Sequence, residues 1–297
     1  MPSRTTRQGA RRRVNAATWR EVLADTQDAL GSEREARLLC EHAAGLDASE
    51  FSASLDEAVT QRMALHLQEM IRRRLAGEPV QYVMGRWAFR YLDLLVDRRV
   101  LIPRPETEQV AEVAVQFART VSPRVAVDLG TGSGAIGLSL AHELPLDGTT
   151  VWLTDNSPDA LDVARSNAAG IGRAGANVRI AQGDWFAALP RELRGSIDVV
   201  VSNPPYIAAD DPEVESTVAA HEPHEALYAG ADGLDALRAV ISGASEWLRP
   251  GGVLVAEIGH RQGDVVRALC EAAGLAAVEI RRDYAGLDRI LIARRPD

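Results

Sequence analysis

The chain has 297 residues, enough for one large or two ordinary domains with a sizeable core. Hydrophobic residues make up 46% and charged residues 25%, and no apolar run approaches the roughly 18 residues a membrane-spanning helix needs. The formal net charge of −9 argues against a surface built to grip a nucleic-acid backbone, which is usually basic.

Residues 1–17 carry Arg4, Arg7 and Arg11-Arg12-Arg13 without periodicity and are expected to form a disordered basic tail. No apolar stretch follows these arginines, unlike a secretory leader. Cys40 and Cys270 stand apart, so a reducing cytoplasm is the default compartment. From Thr18 the apolar spacing turns helical (Trp19, Val22, Leu23; Ala36, Leu39, Cys40; Val59, Met63, Leu67, Met70), with breaks at Gly31-Ser32 and Gly45 to Ser49. The pattern predicts four or five short helices in a bundle over residues 18–75. Such a bundle serves either as a docking module or as a stabilising appendage.

Gly77-Glu78-Pro79 punctuates its end, and the alternation from Val80 to Val100 predicts a β-hairpin in a linker over residues 76–105. The segment Leu101-Ile-Pro-Arg-Pro-Glu-Thr-Glu108 is stiffened by two prolines. Glu106 or Thr107 is expected to open a helix through Phe117, and the charges between the prolines either reach a ligand or, the favoured reading, pair with each other. From Arg124, strand-like runs (Val125–Leu129, Thr150–Thr154, Val178–Ala181, Ile197–Val201, Val253–Ile258, Ala277–Ile280, Arg289–Ala293) alternate with helical ones near 134–143, 157–170, 233–248 and 260–273. This is the pattern of a doubly wound α/β sheet, here within a domain over residues 106–297. Gly286 separates the last two strands too closely for a crossover helix, so they are expected to pair antiparallel.

Chemistry concentrates at the strand ends. Asp128-Leu-Gly-Thr-Gly-Ser-Gly134 occupies the first strand-to-helix turn, where glycines let the backbone approach a ligand. Two patterns fit. Gly132-x-Gly134-x-x-Gly137 matches the dinucleotide fingerprint, while Asp128-x-Gly130-x-Gly132-x-Gly134 matches the glycine-rich turn of S-adenosylmethionine (AdoMet) methyltransferases. Asp155 ends the second strand, where an acid that binds a ribose belongs, although it also suits the start of the next helix. Asp184 and Trp185 close the third strand with an acceptor and an aromatic face for an adenine.

The fourth strand stops at Asn203-Pro204-Pro205-Tyr206. Two prolines end the ladder and leave nearby acceptors free at the carboxyl end of a strand, where open α/β sheets bind ligands. The Asn203 side-chain oxygen and the Pro204 carbonyl suit the two hydrogens of a planar NH2 group, with Tyr206 against its face. A methyl donor beside such a nucleophile makes use of that cluster; a hydride donor does not. His221-x-x-His224 invites a metal, but no third ligand is apparent and none is expected.

These segments, with His221-Glu-Pro223, Gly230 to Asp235, Glu257-Ile-Gly259 and Asp283 to Arg289, resemble the peptide chain release factor glutamine N(5)-methyltransferase family over residues 18–297. The resemblance implies a seven-stranded Rossmann-like methyltransferase domain behind a small helical bundle that docks the substrate. It implies AdoMet held by Gly130, Thr131, Gly132, Ser133, Gly134, Asp155, Asp184, Trp185 and Asn203. It also implies a substrate glutamine, from the Gly-Gly-Gln loop of class 1 release factors, held by Asn203, Pro204, Pro205 and Tyr206. The catalytic set is then Asn203, Pro204 and Tyr206, with direct in-line transfer and neither metal nor covalent intermediate. A monomer that binds neither membrane nor nucleic acid is expected. The same acceptors suit the N6 amine of adenine in DNA or RNA, but no basic groove or target-recognition segment is evident. A catalytically silent AdoMet-binding docking protein is the remaining alternative, and it has no need for both an acceptor cluster and a glycine turn.

Overall fold

The computed structural model describes residues 17–210 and 220–297; all but Ala17 of the expected basic tail lies outside them. The chain divides into two compact units between Met84 and Gly85. The first is helical: α1 (Trp19–Leu30), α2 (Glu33–Ala44), α3 (Ala48–Ala53), α4 (Gln61–Leu75) and α5 (Val80–Met84). Capping boxes open α1 (Thr18 with Glu21) and α3 (Asp47 with Glu50), and Ser32 and Thr60 cap α2 and α4. Trp19, Leu39, Phe51, Leu67 and Met70 form the centre of the core, with Trp19 edge-on to Phe51 at 5.4 Å between ring centroids. Phe51→Ala is expected to destabilise this unit by about 3–5 kcal/mol, read as a lower denaturant midpoint of its helical signal; an unchanged midpoint would contradict the assignment.

One expectation fails here. Val80–Met84 is a helix rather than the start of a hairpin. Val80 and Val83 fall on one helical face and enter the core. The Arg73 guanidinium donates to Glu78 and to the carbonyls of Tyr82 (2.9 Å) and Val83 (3.2 Å), which the end of a five-residue helix leaves without intrahelical donors.

The second unit begins with the hairpin, β1 (Arg86–Phe89) paired antiparallel with β2 (Leu92–Leu95). Next comes α6 (Pro105–Ala118), which starts one or two residues before the expected Glu106 or Thr107. Pro105 supplies a preset φ and lacks an N–H that would be orphaned there, so Arg104 takes the N-cap position without a side-chain cap. Thr107 is thereby freed for a different bond.

The main sheet contains β3 (Arg124–Leu129), β4 (Thr149–Asp155), β5 (Val178–Gln182), β6 (Ile197–Ser202), β7 (Leu248–Glu257), β8 (Ala276–Arg282) and β9 (Asp288–Arg294). Their spatial order is β5-β4-β3-β6-β7-β9-β8. The pairs among β3 to β7 are parallel, and β9 pairs antiparallel with both β7 and β8. The crossovers are α7 (Ala135–Glu143), α8 (Pro158–Gly170), α9 (Asp235–Trp247) and α10 (Gly263–Ala272). The strand β7 starts earlier than its apolar run at Val253, because Leu248 already pairs with Ile197 ahead of a register shift. All six residues of β6 are buried, as expected for a central parallel strand covered on both faces. Order reverses at β3: β4 and β5 run outward on one side, and β6 returns on the other. The carboxyl ends of β3 and β6 therefore flank the crevice where such sheets bind ligands, and Leu129 lies directly opposite Ser202. Among the described residues no helix is long and apolar enough to cross a membrane.

Candidate active site

A cleft lies at this switch point. Its walls include Gly130, Thr131, Gly132 and Ser133 from the turn after β3, Asp155 from the end of β4, Asp184 and Trp185 after β5, and Asn203 and Pro205 after β6. Three residues predicted for the site are not among its walls: Gly134, Pro204 and Tyr206.

The glycine turn is held by a dense set of bonds. Thr131 N–H donates to Thr154 O (2.9 Å), and Gly132 N–H to Asp155 Oδ2 (2.9 Å). Gly132 has φ +55 and an open space where a Cβ would point, whereas a Cβ on Gly134 (φ +88) would come within 2.8 Å of the Leu138 side chain. Gly132 thus keeps the backbone accessible from the cleft, and Gly134 packs the turn onto its helix. The Asn167 side chain, buried in α8, donates to Ser133 O (2.8 Å) and Leu95 O (3.0 Å) and accepts from Leu95 N–H (2.7 Å). It ties the glycine turn to the β1–β2 hairpin, and nothing local in the sequence signals it.

Carboxylates dominate the cleft. Asp155 accepts from Gly132 and, at 3.0 Å, from Ser157 N–H. Ser157 rather than Asp155 caps α8. Burial raises the Asp155 carboxyl above its usual range, and the Glu225 charge adds to the effect. Asp128 is fully buried at the foot of the turn. Its Oδ2 accepts from Thr131 Oγ1 (2.6 Å) and Gly137 N–H (2.8 Å), and burial pushes its carboxyl up to about 7. Its Oδ1 is buried with no hydrogen-bond partner among the described residues. The lining residues include four acids, Asp128, Asp155, Asp184 and Glu225, and a single guanidinium, that of Arg99, which already pairs with Asp97 at 2.6 Å.

Trp185 begins a short 3₁₀ turn with φ +45, an unusual conformation for a bulky residue. A Cβ on Gly130 would come within 3.5 Å of its ring, so the indole closes over the glycine turn.

Asn203 is half-buried, and its Nδ2 donates to Thr107 Oγ1 (3.3 Å), while Oδ1 has no protein donor among the described residues. Pro204 is buried, and its carbonyl also accepts no bond among the described residues. The Tyr206 hydroxyl donates to Glu257 Oε1 (3.1 Å) and accepts from Arg289 Nη1 (3.4 Å); burial beside Glu257 raises the phenol well above its usual range. The backbone carbonyl of Tyr206 is held by Gln262 Nε2 (3.0 Å). Its ring is thus anchored through the hydroxyl and packed against the core of the second unit.

The expected pairing of charges between the prolines is corrected. Arg104 pairs with Glu222, and a Glu222 oxygen also accepts from Ile102 N–H at 3.0 Å. The buried Glu222 carboxylate so fastens Leu101 to Pro105 against the His221-Glu-Pro223 segment, and Pro103 and Pro223 both reach the cleft. His224 stacks on Tyr228 at 4.2 Å between ring centroids, and no group of His, Cys, Asp and Glu among the described residues has a metal-binding arrangement. Thr107 and Glu257 were not singled out as site residues. The one available signal was an acid closing the otherwise apolar run Val253–Ala256.

Comparison with known proteins accords with this geometry. The family model described as PrmC N-terminal domain matches residues 18–85, and that described as Methyltransferase domain matches residues 122–280. A solved methyltransferase from Pyrococcus furiosus shares the fold: it covers 77% of this chain and all of its own, with a TM-score of 0.52 at 19% identity. The release factor glutamine methyltransferase of Xylella fastidiosa (strain 9a5c) is 45% identical over 77% of this chain and 81% of its own length. That of Burkholderia pseudomallei (strain K96243) is 41% identical over 94% of this chain and 97% of its own. The chain belongs to the release factor glutamine methyltransferase family.

Proposed function

We propose that this protein transfers a methyl group from AdoMet to the side-chain amide nitrogen of the glutamine in the Gly-Gly-Gln loop of class 1 peptide chain release factors, with its helical unit serving to dock the factor. The observation that carries this reading is the presence of a glycine turn and a free Asn203 amide oxygen in one cleft at the β3–β6 switch point.

The cleft fits AdoMet better than a dinucleotide. Four acidic side chains, Asp128 among them only partly ionised near neutral pH, against one paired guanidinium favour a ligand bearing an ammonium and a sulfonium over a pyrophosphate. The partnerless Asp128 Oδ1 is an acceptor in want of a donor, which a cationic ligand can satisfy directly or through water. Asp155 retains lone pairs for a ribose diol beyond those used by Gly132 and Ser157, and Trp185 offers an aromatic face. When bound, AdoMet supplies an electrophilic methyl on a positively charged sulfur.

The chain's own part is positioning and charge compensation. A glutamine amide nitrogen is a weak nucleophile because its lone pair is delocalised into the carbonyl. Asn203 Oδ1 and the Pro204 carbonyl each accept one of its hydrogens, which directs the lone pair away from them. As the nitrogen forms its new bond it gains positive charge, and the same two oxygens stabilise that charge. As the N–C bond forms, the S–C bond breaks and the sulfur leaves as a neutral thioether; the N-protonated amide is then acidic enough to release its extra proton to water without a strong base. Holding the reacting atoms near contact supplies the rest.

Incubation with labelled AdoMet and either a purified release factor or adenine-containing oligonucleotides tests the assignment. Label is expected on the release factor alone, and label on the oligonucleotides would overturn it. Asn167→Ala is expected to weaken AdoMet binding several-fold by loosening Ser133, measured by calorimetry; unchanged affinity would remove Asn167 from the support of the turn.

A further inference from the structure

Asn203 functions in one orientation only, because flipping its amide would turn a donor toward a substrate that is itself a donor. We propose that Thr107 and Glu257 are positioning residues that fix the direction of the Asn203 amide, keeping its oxygen toward the cleft. This rests on the reading of Asn203 as the group that holds the glutamine.

The argument is a count of protons. An ionised carboxylate only accepts, so the Thr107 hydroxyl, 2.6 Å from Glu257 Oε2, must donate its single hydrogen there. What Thr107 Oγ1 retains is acceptor capacity, and it is 3.3 Å from Asn203 Nδ2. Only the NH2 end of Asn203 can face such an atom, so Oδ1 is left for the cleft. The direction of one bond is thus transmitted from Glu257, at the end of β7, through α6 to the loop after β6. Glu257 and Thr107 are both almost wholly inaccessible to solvent, so water does not compete for these bonds. Glu257 is held in turn by the Tyr206 hydroxyl on its other oxygen, and that hydroxyl accepts from Arg289.

The chain of bonds is reversible by a proton. Burial pushes Glu257 up to about 7; the Thr107 and Tyr206 hydroxyls and the Arg289 charge oppose this shift, and Glu106 reinforces it. Once protonated, Glu257 can donate to Thr107, and the Thr107 hydrogen is released to seek an acceptor. That acceptor is Asn203 Oδ1, which turns the amide the wrong way for the substrate. Activity should therefore rise with pH as Glu257 ionises.

Three variants test this in the full-length enzyme with a purified release factor. Thr107→Val is expected to lower kcat about 10- to 100-fold with AdoMet affinity unchanged, and Thr107→Ser to restore most of it. At saturating AdoMet, the wild-type kcat should fall as pH drops through about 7, and Glu257→Gln should lose that dependence. In ¹⁵N-labelled protein, the Asn203 side-chain amide protons, assigned with Asn203→Ala, should be protected from exchange in wild type and Thr107→Ser and unprotected in Thr107→Val. A Thr107→Val enzyme with wild-type kcat and protected Asn203 protons, or a Thr107→Ser enzyme as impaired as Thr107→Val, would overturn the proposal. If wild type is active and Asn203→Ala is not, that failure belongs to the relay alone. If wild type methylates no glutamine, the reading of Asn203 fails and the relay fails with it.

Discussion

Asn203→Ala is expected to lower methyl transfer by at least about 10²-fold while AdoMet affinity stays close to wild type. The size follows from the role. A preorganised acceptor beside a growing positive charge acts in the transition state more than in the ground state, so its loss appears in kcat. The substitution also removes the partner of Thr107 Oγ1. Thr107 keeps its bond to Glu257, so no buried donor is orphaned and the effect on folding is small. Titration calorimetry and a single-turnover transfer assay separate the two quantities. Near wild-type turnover would exclude Asn203 from the chemistry.

Asp155→Ala should act on the other half of the reaction, weakening AdoMet binding by about 10- to 100-fold. Two effects combine. The carboxylate is the acceptor available to a ribose diol, and it also fixes Gly132 through a 2.9 Å bond. Charged acceptors contribute more than neutral ones, so Asp155→Asn should recover only part of the loss. Because burial raises the Asp155 carboxyl, protonation reaches it at higher pH than it would an exposed acid. Affinity should consequently decline as pH falls through that raised value, and the decline should vanish in Asp155→Asn. Equal affinity in Asp155→Ala and wild type would remove this acid from the cofactor site.

The sheet was legible because its strands are β-branched runs at regular spacing, and the one short link containing Gly286 dictated the antiparallel ending. The location of the cleft was legible for a related reason. Glycine turn and proline pair each follow a strand, and the doubly wound order brings those two ends together. Contacts between distant segments left no trace of that kind. Thr107 and Glu257 lie 150 residues apart, and Ile102 and Glu222 are separated by 120. Neither pair belongs to a local periodicity, so Arg104 looked like a partner for its neighbours when Glu222 claims it. The helix at Val80–Met84 depends likewise on Arg73 reaching back from α4, a tertiary bond that overrides the strand-like alternation. Tyr206 was readable as an aromatic beside the acceptors. That its hydroxyl is engaged by Glu257 and Arg289 was not.

The most direct test is to fragment a release factor treated with this enzyme and AdoMet, and to locate the modification by mass spectrometry. One methyl group on the side-chain nitrogen of the Gly-Gly-Gln glutamine, absent with Asn203→Ala, is the predicted result. A methyl group on any other residue, or an unmodified glutamine after complete consumption of AdoMet, would contradict it.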